Sequence, residues 1–295
     1  MVTEGESGMK AAHVYNVLIY SVLILFGLVT FIPFYYVLVA SLSNPDLISD
    51  GELMLLPRGF TMEAYKTLLL NDKFLSALYV TVTRTALGTL FNLILQCAFA
   101  YSLSKKYLPG RKFFMLFIIV TMMFNGGIIP TYLIVKSTGL IDTIWALIIP
   151  GAISTWNVIL LRSFFENVPE SLEESARMDG ANDIYILIRI ILPLSLPAIA
   201  TIALFSAVGH WNSFLDAVIY TNSPSLQVLQ IFLRNMVVQL QNIMANGDAV
   251  AVNKGVSSLT LRSAAIFTSS LPIILVYPFI QKHFTKGVML GAVKG

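Results

Sequence analysis

The chain has 295 residues, 56% of them hydrophobic and only 12% charged, with a net charge of +3 and a mean hydropathy of +0.77. Soluble globular domains carry about 25% charged residues, so this composition excludes an ordinary soluble domain. The small positive surplus reads as membrane topology and excludes a nucleic-acid binder, and the single cysteine, Cys97, excludes an internal disulfide framework. The class expected is an all-α, polytopic membrane protein whose apolar surface faces lipid.

Residues 1–13 are polar, and the apolar run Val14–Val39 that follows has no small-residue cleavage site. It reads as a retained first span with Pro33 near its end. Asn44–Lys73 is a mixed polar connection with Pro45, Pro57 and Gly59. Span two, Phe74–Leu103, carries a single charge, Arg84. Span three, Phe113–Val135, is interrupted by Asn125-Gly126-Gly127 and Pro130, and span four, Ile144–Phe165, contains Pro150. A polar island, Pro169–Pro193, comes next. Span five is Ile186–Gly209, His210–Arg262 reads as a long polar connection, and span six is Ala264–Ile280. Six spans place both termini and the island on one side. That side holds Lys10, Lys105, Lys106, Arg111, Lys112, Arg162, Arg177, Arg189, Lys282, Lys286 and Lys294. The longer opposite loops hold fewer basic residues, so the positive-inside rule puts the island and both termini in the cytoplasm.

The island concentrates Glu166, Glu170, Glu173, Glu174, Asp179 and Asp183 among Arg162, Arg177 and Arg189. Pro169 suits a first helical turn and the glutamates its positive end. Gly180 stops that helix, and Asn182 or Asp183 caps a second one. Glu174, Arg177 or Met178, and Ala181 recur at helical spacing and are expected to share a face. The pattern is a rigid helix-turn-helix outside the bilayer.

Glu174-Ser175-Ala176, Gly180 and Ile190-x-Leu192-Pro193 match, at every spacing, the EAA loop of permease subunits of ATP-binding-cassette (ABC) importers, with Ser175 where alanine is usual. The chain therefore resembles that family. Trp211-Asn212, Phe214 and the closing Gly291-Ala292-Val293-Lys294-Gly295 resemble its carbohydrate-uptake, MalG-like branch. Asn125–Pro130, Asn157–Leu160 and Gly209–Asn212 are similar to the LplC/YtcP-type subgroup, associated with oligosaccharides and with polysaccharide breakdown products such as alginate. The resemblance implies a type I (MetI-like) permease fold in the bacterial inner membrane: a cytoplasmic segment 1–13, a six-helix domain 14–284 with its coupling loop at 166–193, and a cytoplasmic tail 285–295. It implies a second, unlike permease, two ATPase subunits that carry ATP and magnesium, and an extracytoplasmic solute-binding protein. Glu174, Ser175, Ala176, Arg177, Met178, Asp179, Gly180, Ala181 and Pro193 would couple to the ATPase, with Lys286, Gly291 and Lys294 of the tail as a second contact.

No phosphate-binding glycine loop, metal motif or nucleophile motif occurs, so the chain offers no catalytic constellation and no cofactor of its own. Arg84 stands within a span, where a charge costs about 2.5–3.5 kcal/mol at mid-depth. It is either paired in the bundle or set in the solute route. The break at Asn125 is either a bend or a wall of that route. Trp145, Trp156, Asn157, His210, Trp211, Asn212, Phe214, Asp216 and Tyr220 suit either an interfacial belt or sugar contact. An ion-coupled secondary transporter predicts acidic residues within the spans, and the spans drawn contain none. An ABC permease for a non-sugar solute is the other alternative.

Overall fold

The structure, a computed structural model, describes residues 3–47, 54–124, 126–245 and 258–292. Helix α1 (Thr3–Ser41) is followed by α2 (Glu63–Leu69) and α3 (Asp72–Ser104), the latter running without a proline or break. Next come α4 (Arg111–Met123), α5 (Ile128–Ser137), α6 (Thr155–Glu166) and α7 (Glu170–Met178). Then α8 (Asp183–Ile186), a π-helical turn (Leu187–Ile191) and α9 (Leu192–Leu194) lead to α10 (Leu196–Asn212). The chain closes with α11 (Leu215–Tyr220), α12 (Leu229–Ala245) and α13 (Ser258–Ala292). No strand occurs among the described residues.

Three stretches are long and apolar enough to cross a membrane unaided: Tyr15–Ser41, Asp72–Ser104 and Leu259–Val276. Three bent pairs bring the number to six if each pair is one span. Each bend has a cause in the sequence. The pair Arg111–Met123 and Ile128–Ser137 breaks at Gly126-Gly127 ahead of Pro130. Ile144–Gly151 and Thr155–Glu166 meet at 56°, where Pro150 ends the hydrogen-bonded run and Ser154 caps α6 by accepting from the Asn157 N–H.

The third bend falls inside the expected span five. Asp183–Leu194 meets Leu196–Asn212 at 86°, so residues 186–194 and 196–209 are two segments with a corner between them. Ser195 sits at the corner between Pro193 and Pro197. The stretch before it carries apolar side chains on both sides. Ile186 and Ile191 are buried, while Ile184, Ile188 and Leu194 are exposed. The expected polar connection after His210 is corrected. It holds α11 and α12, because Val228 and Leu229 are fully buried and Phe232 packs edge-on against Phe74 at 5.6 Å.

The chain divides into two compact units, Met1–Asn71 with Met236–Ser270 and Asp72–Asn235 with Leu271–Gly295. In the first, Val39 and Ala40 at the end of α1 pack with Met54, and the Ser41 hydroxyl meets the Tyr65 hydroxyl at 2.7 Å. In the second, α10 and α6 both pack along α3. The largest core cluster, which includes Tyr101, Leu161, Phe165, Ile186, Ile191 and Ile202, lies where these helices meet the island. At the other end Asp142 accepts from the Ser223 hydroxyl and from the N–H groups of Asn222 and Ser223 at 2.9 Å. The Ser223 hydroxyl and these N–H groups hold its carboxyl below the usual carboxylate range.

Candidate functional site

Helix α3 carries Arg84, Gly88, Asn92 and Gln96 at four-residue spacing, which sets them along one face over about 18 Å of helix. That face lines a cavity of about 530 Å³. Ser206, Gly209 and His210 of α10 face it, with Ser213, Asp216 and Tyr220 beyond the helix end. Gly151, Ser154 and Asn157 close it from the α6 side. The apolar residues of this unit thus surround a chamber lined by amides, hydroxyls and one ion pair.

That pair is Arg84 with Asp216. Arg84 is 2% exposed, and it also donates to the Ser213 carbonyl at 3.3 Å. Asp216 in turn accepts from the Ser213 hydroxyl at 2.8 Å and from the Ala217 N–H at 2.9 Å. These bonds make the paired charges tolerable in an apolar body. Asn92 Nδ2 lies 3.1 Å from His210 Nε2, and Gln96 donates to the Ala152 carbonyl at 3.1 Å. The other polar atoms of the stripe, Arg84 Nε, Asn92 Oδ1 and Gln96 Oε1, and Ser206 Oγ opposite, find no protein partner among the described residues. Buried polar atoms are costly when unsatisfied. Arg84, Asn92, Gln96 and Ser206 all border the cavity, so guanidinium, amide and hydroxyl side chains lie around one space.

Gly88 makes room for the His210 ring. A Cβ built there lies 2.5 Å from His210 Nε2. Gly88→Ala is therefore expected to force His210 off Asn92, at a cost of about 1–3 kcal/mol for overpacking. A lower thermal midpoint in detergent checks it.

The island folds as its local signals dictate. Helix α7 has Glu170 and Glu173 in its first turn and Arg177 in its last. It ends in a Schellman turn, with the Ala181 N–H on the Ala176 carbonyl at 2.9 Å and the Gly180 N–H on the Arg177 carbonyl at 3.0 Å. Gly180 has φ +85°, where a side chain is strained. The Asn182 side chain caps α8 by accepting from the Tyr185 N–H at 2.8 Å. One face of the island is tied to the loop after α3. Lys105 pairs with Glu173, Lys106 with Glu170, and Arg177 with Asp183 and the Tyr107 hydroxyl. Hydrogen bonding to Lys106 lowers the Glu170 carboxyl and correspondingly raises the lysine. The opposite face exposes Leu172, Glu174, Ser175 and Met178, the last 82% exposed.

The expected shared face of Glu174, Met178 and Ala181 does not form. Ala181 lies past the Gly180 turn, and it and Ala176 pack on the core cluster. Of the solute-route candidates, the cavity gathers Arg84, Asn157, His210, Asp216 and Tyr220. Trp211 is buried outside it, Trp156 is 59% exposed and Asn212 is exposed. Asn125 and Lys294 lie outside the described residues, and Lys286 and Gly291 fall on α13. Sequence reasoning missed Asn92, Gln96, Ser154 and Ser206. Their signal was polar residues at helical spacing in apolar spans. It also missed Lys105–Glu173, which links positions 68 apart.

Residues 98–290 match the family model described as the binding-protein-dependent transport system inner membrane component. The polygalacturonan/rhamnogalacturonan transport system permease protein YtcP of Bacillus subtilis is 42% identical over 96% of this chain and 99% of its own. Protein LplC of the same organism is 41% identical over 91% of each chain. A crystal structure of a bacterial ABC transporter involved in the import of the acidic polysaccharide alginate contains a chain that superposes with a TM-score of 0.86. That chain is 34% identical, with 93% of this chain and 98% of the other covered. Broken spans around a polar cavity, with a helix-turn-helix at one end, are therefore the permease architecture of these importers, and this chain belongs to the family of binding-protein-dependent transport system inner membrane components.

Proposed function

We propose that the chain is one of two unlike permease subunits of an ATP-driven importer that carries an oligosaccharide, a breakdown product of a complex polysaccharide, into the cytoplasm. The observation that carries this reading is the cavity. Its amide and hydroxyl side chains, drawn together from α3, α6 and α10, suit the donors and acceptors of sugar hydroxyls. The polygalacturonan/rhamnogalacturonan and alginate systems among the similar proteins support a polysaccharide-derived solute. In this reading residues 14–284 form the permease domain, and both termini and the island lie in the cytoplasm. ATP and magnesium reside on two separate ATPase subunits, and an extracytoplasmic binding protein delivers the solute.

The ATPase contact falls on the outward face of the island, Glu174, Ser175, Met178 and Asp179, with Gly180 and Pro193 fixing its turns and the tail at Lys286–Lys294 as a second contact. ATP binds more tightly to one arrangement of the subunits and so shifts the spans between inward- and outward-facing states. The test is uptake in proteoliposomes holding the two permeases, the ATPase and the loaded binding protein. An alginate and a galacturonan oligosaccharide serve as labelled probes, and maltose and an amino acid as controls. Uptake of an acidic oligosaccharide that stops without ATP is the expected result. Uptake of the amino acid alone overturns the sugar assignment.

A further inference from the structure

Among the described residues two unbroken helices reach both the cavity and the island: α6, which carries Asn157 and runs on towards α7, and α3, which meets the island through side chains. The polar stripe of α3 ends at Gln96, about 13 Å along the helix axis from Lys105 just past its end. The route through α10 turns an 86° corner at Ser195, whereas the 56° bend before α6 lies on the far side of Asn157 from the island. A straight helix transmits displacement that a hinged one absorbs. The island's grip on α3 therefore decides whether Arg84, Asn92 and Gln96 follow the island.

That grip is unequal across its contacts. Lys106–Glu170, at 2.7 Å, is 78% and 67% exposed, so solvent and salt screen it. Lys105–Glu173 is sheltered, with both side chains 11% exposed and both carboxylate oxygens 2.5 Å from Nζ. Lys105 also lies 4.2 Å over the Tyr101 ring, one turn back on α3. The charges complement the backbone. The ammonium stands at the negative end of the α3 dipole, and the carboxylate stands in the first turn of α7 at its positive end. Tyr101, Leu103 and Phe165 of the core cluster lie near this joint.

We infer that Glu173 and Lys105 form the joint through which displacement of the island moves α3 and the cavity stripe it carries. Glu173 is thus a positioning residue, distinct from the exposed face on which an ATPase docks. The inference rests on the importer reading above.

The experiment uses the complete reconstituted importer and records solute taken up per ATP hydrolysed, with an alginate oligosaccharide as probe. Glu173→Gln and Lys105→Met are each expected to lower that ratio about ten-fold, the scale of one coupling interaction, while the ATPase subunits still co-purify. The exchanged pair Glu173→Lys with Lys105→Glu returns it to within about three-fold of wild type, because the two sites are coupled. In Glu173→Cys with Lys105→Cys, a short bis-maleimide raises the ratio again, since a covalent tie replaces the ionic one. This arm needs only the cysteine protein to insert. An unchanged ratio in the single variants, or cross-linking that lowers it further, overturns the joint. Loss of the ATPase subunits from Glu173→Gln also overturns it, placing Glu173 in the docking face. A wild-type importer that takes up no oligosaccharide defeats the functional reading instead.

Discussion

Asp216→Ala is expected to give the largest loss of folded protein of any single change in the cavity. It strands the Arg84 guanidinium, 2% exposed, in an apolar bundle with only the Ser213 carbonyl as acceptor. Removing one partner of a buried ion pair costs about 3–5 kcal/mol, because the survivor stays buried and uncompensated. Asp216→Asn, which keeps an acceptor but removes the charge, falls between. The double variant Arg84→Met with Asp216→Leu removes both charges and is expected to recover stability, while uptake stays low because the chamber has lost its polar floor. Thermal midpoints and yields of monodisperse protein in detergent separate these cases. An Asp216→Ala protein as stable as wild type would show that Arg84 finds another partner. The pairing also bears on the rival reading. An ion-coupled transporter needs a carboxylate free to exchange protons or sodium, and the cavity's carboxylate is already engaged by an arginine and a serine.

Gly180→Pro is expected to abolish coupled uptake while the protein still inserts. Proline fixes φ near −65°, and Gly180 sits at +85°. Proline also removes the N–H that bonds the Arg177 carbonyl and closes α7. The turn cannot form, so Arg177 leaves Asp183 and the outward face loses its orientation. Gly180→Ala keeps the N–H and costs about 1–2 kcal/mol for a left-handed residue, and Asn, which tolerates that region, costs less. Solute uptake and binding-protein-stimulated ATP hydrolysis should therefore fall in the order Gly, Asn, Ala, Pro. Insertion depends on the apolar spans and not on this turn. Stimulated hydrolysis at the wild-type level in Gly180→Pro would contradict the role given to the island.

What was legible in the sequence was local. The Schellman turn at Gly180, the cap at Asn182 and the breaks at Gly126-Gly127 and Pro150 depend on neighbours a few residues away, and their residue types announce them. The corner at Ser195 was harder to see. The flanking prolines are visible, but the segment before them, with Ile184, Ile188 and Leu194 exposed and Ile186 and Ile191 buried, is apolar on both sides, so its composition does not mark the corner. The ion pairs were not legible, because Lys105–Glu173 and Arg84–Asp216 join positions 68 and 132 residues apart. Arg84 stands out as a charge within a span and Asp216 as a solute-route candidate, but nothing in the sequence joins the two. The stripe of Gly88, Asn92 and Gln96 shows in the sequence only as a four-residue spacing of small and polar residues, which does not say what the face meets. Trp156 and Trp211 proved peripheral to the cavity because one faces outward and the other is buried.

The account turns on the exposed face of α7 meeting a nucleotide-driven partner inside the cell, and labelling of Met178→Cys tests that most directly. Met178 is 82% exposed, and the one native cysteine, Cys97, is buried, so a membrane-impermeant maleimide reports on the introduced thiol. The account predicts labelling in inside-out vesicles stripped of ATPase subunits, protection when those subunits are restored, and no labelling in right-side-out vesicles. Labelling from the outside, or labelling that the ATPase subunits leave unchanged, would contradict it.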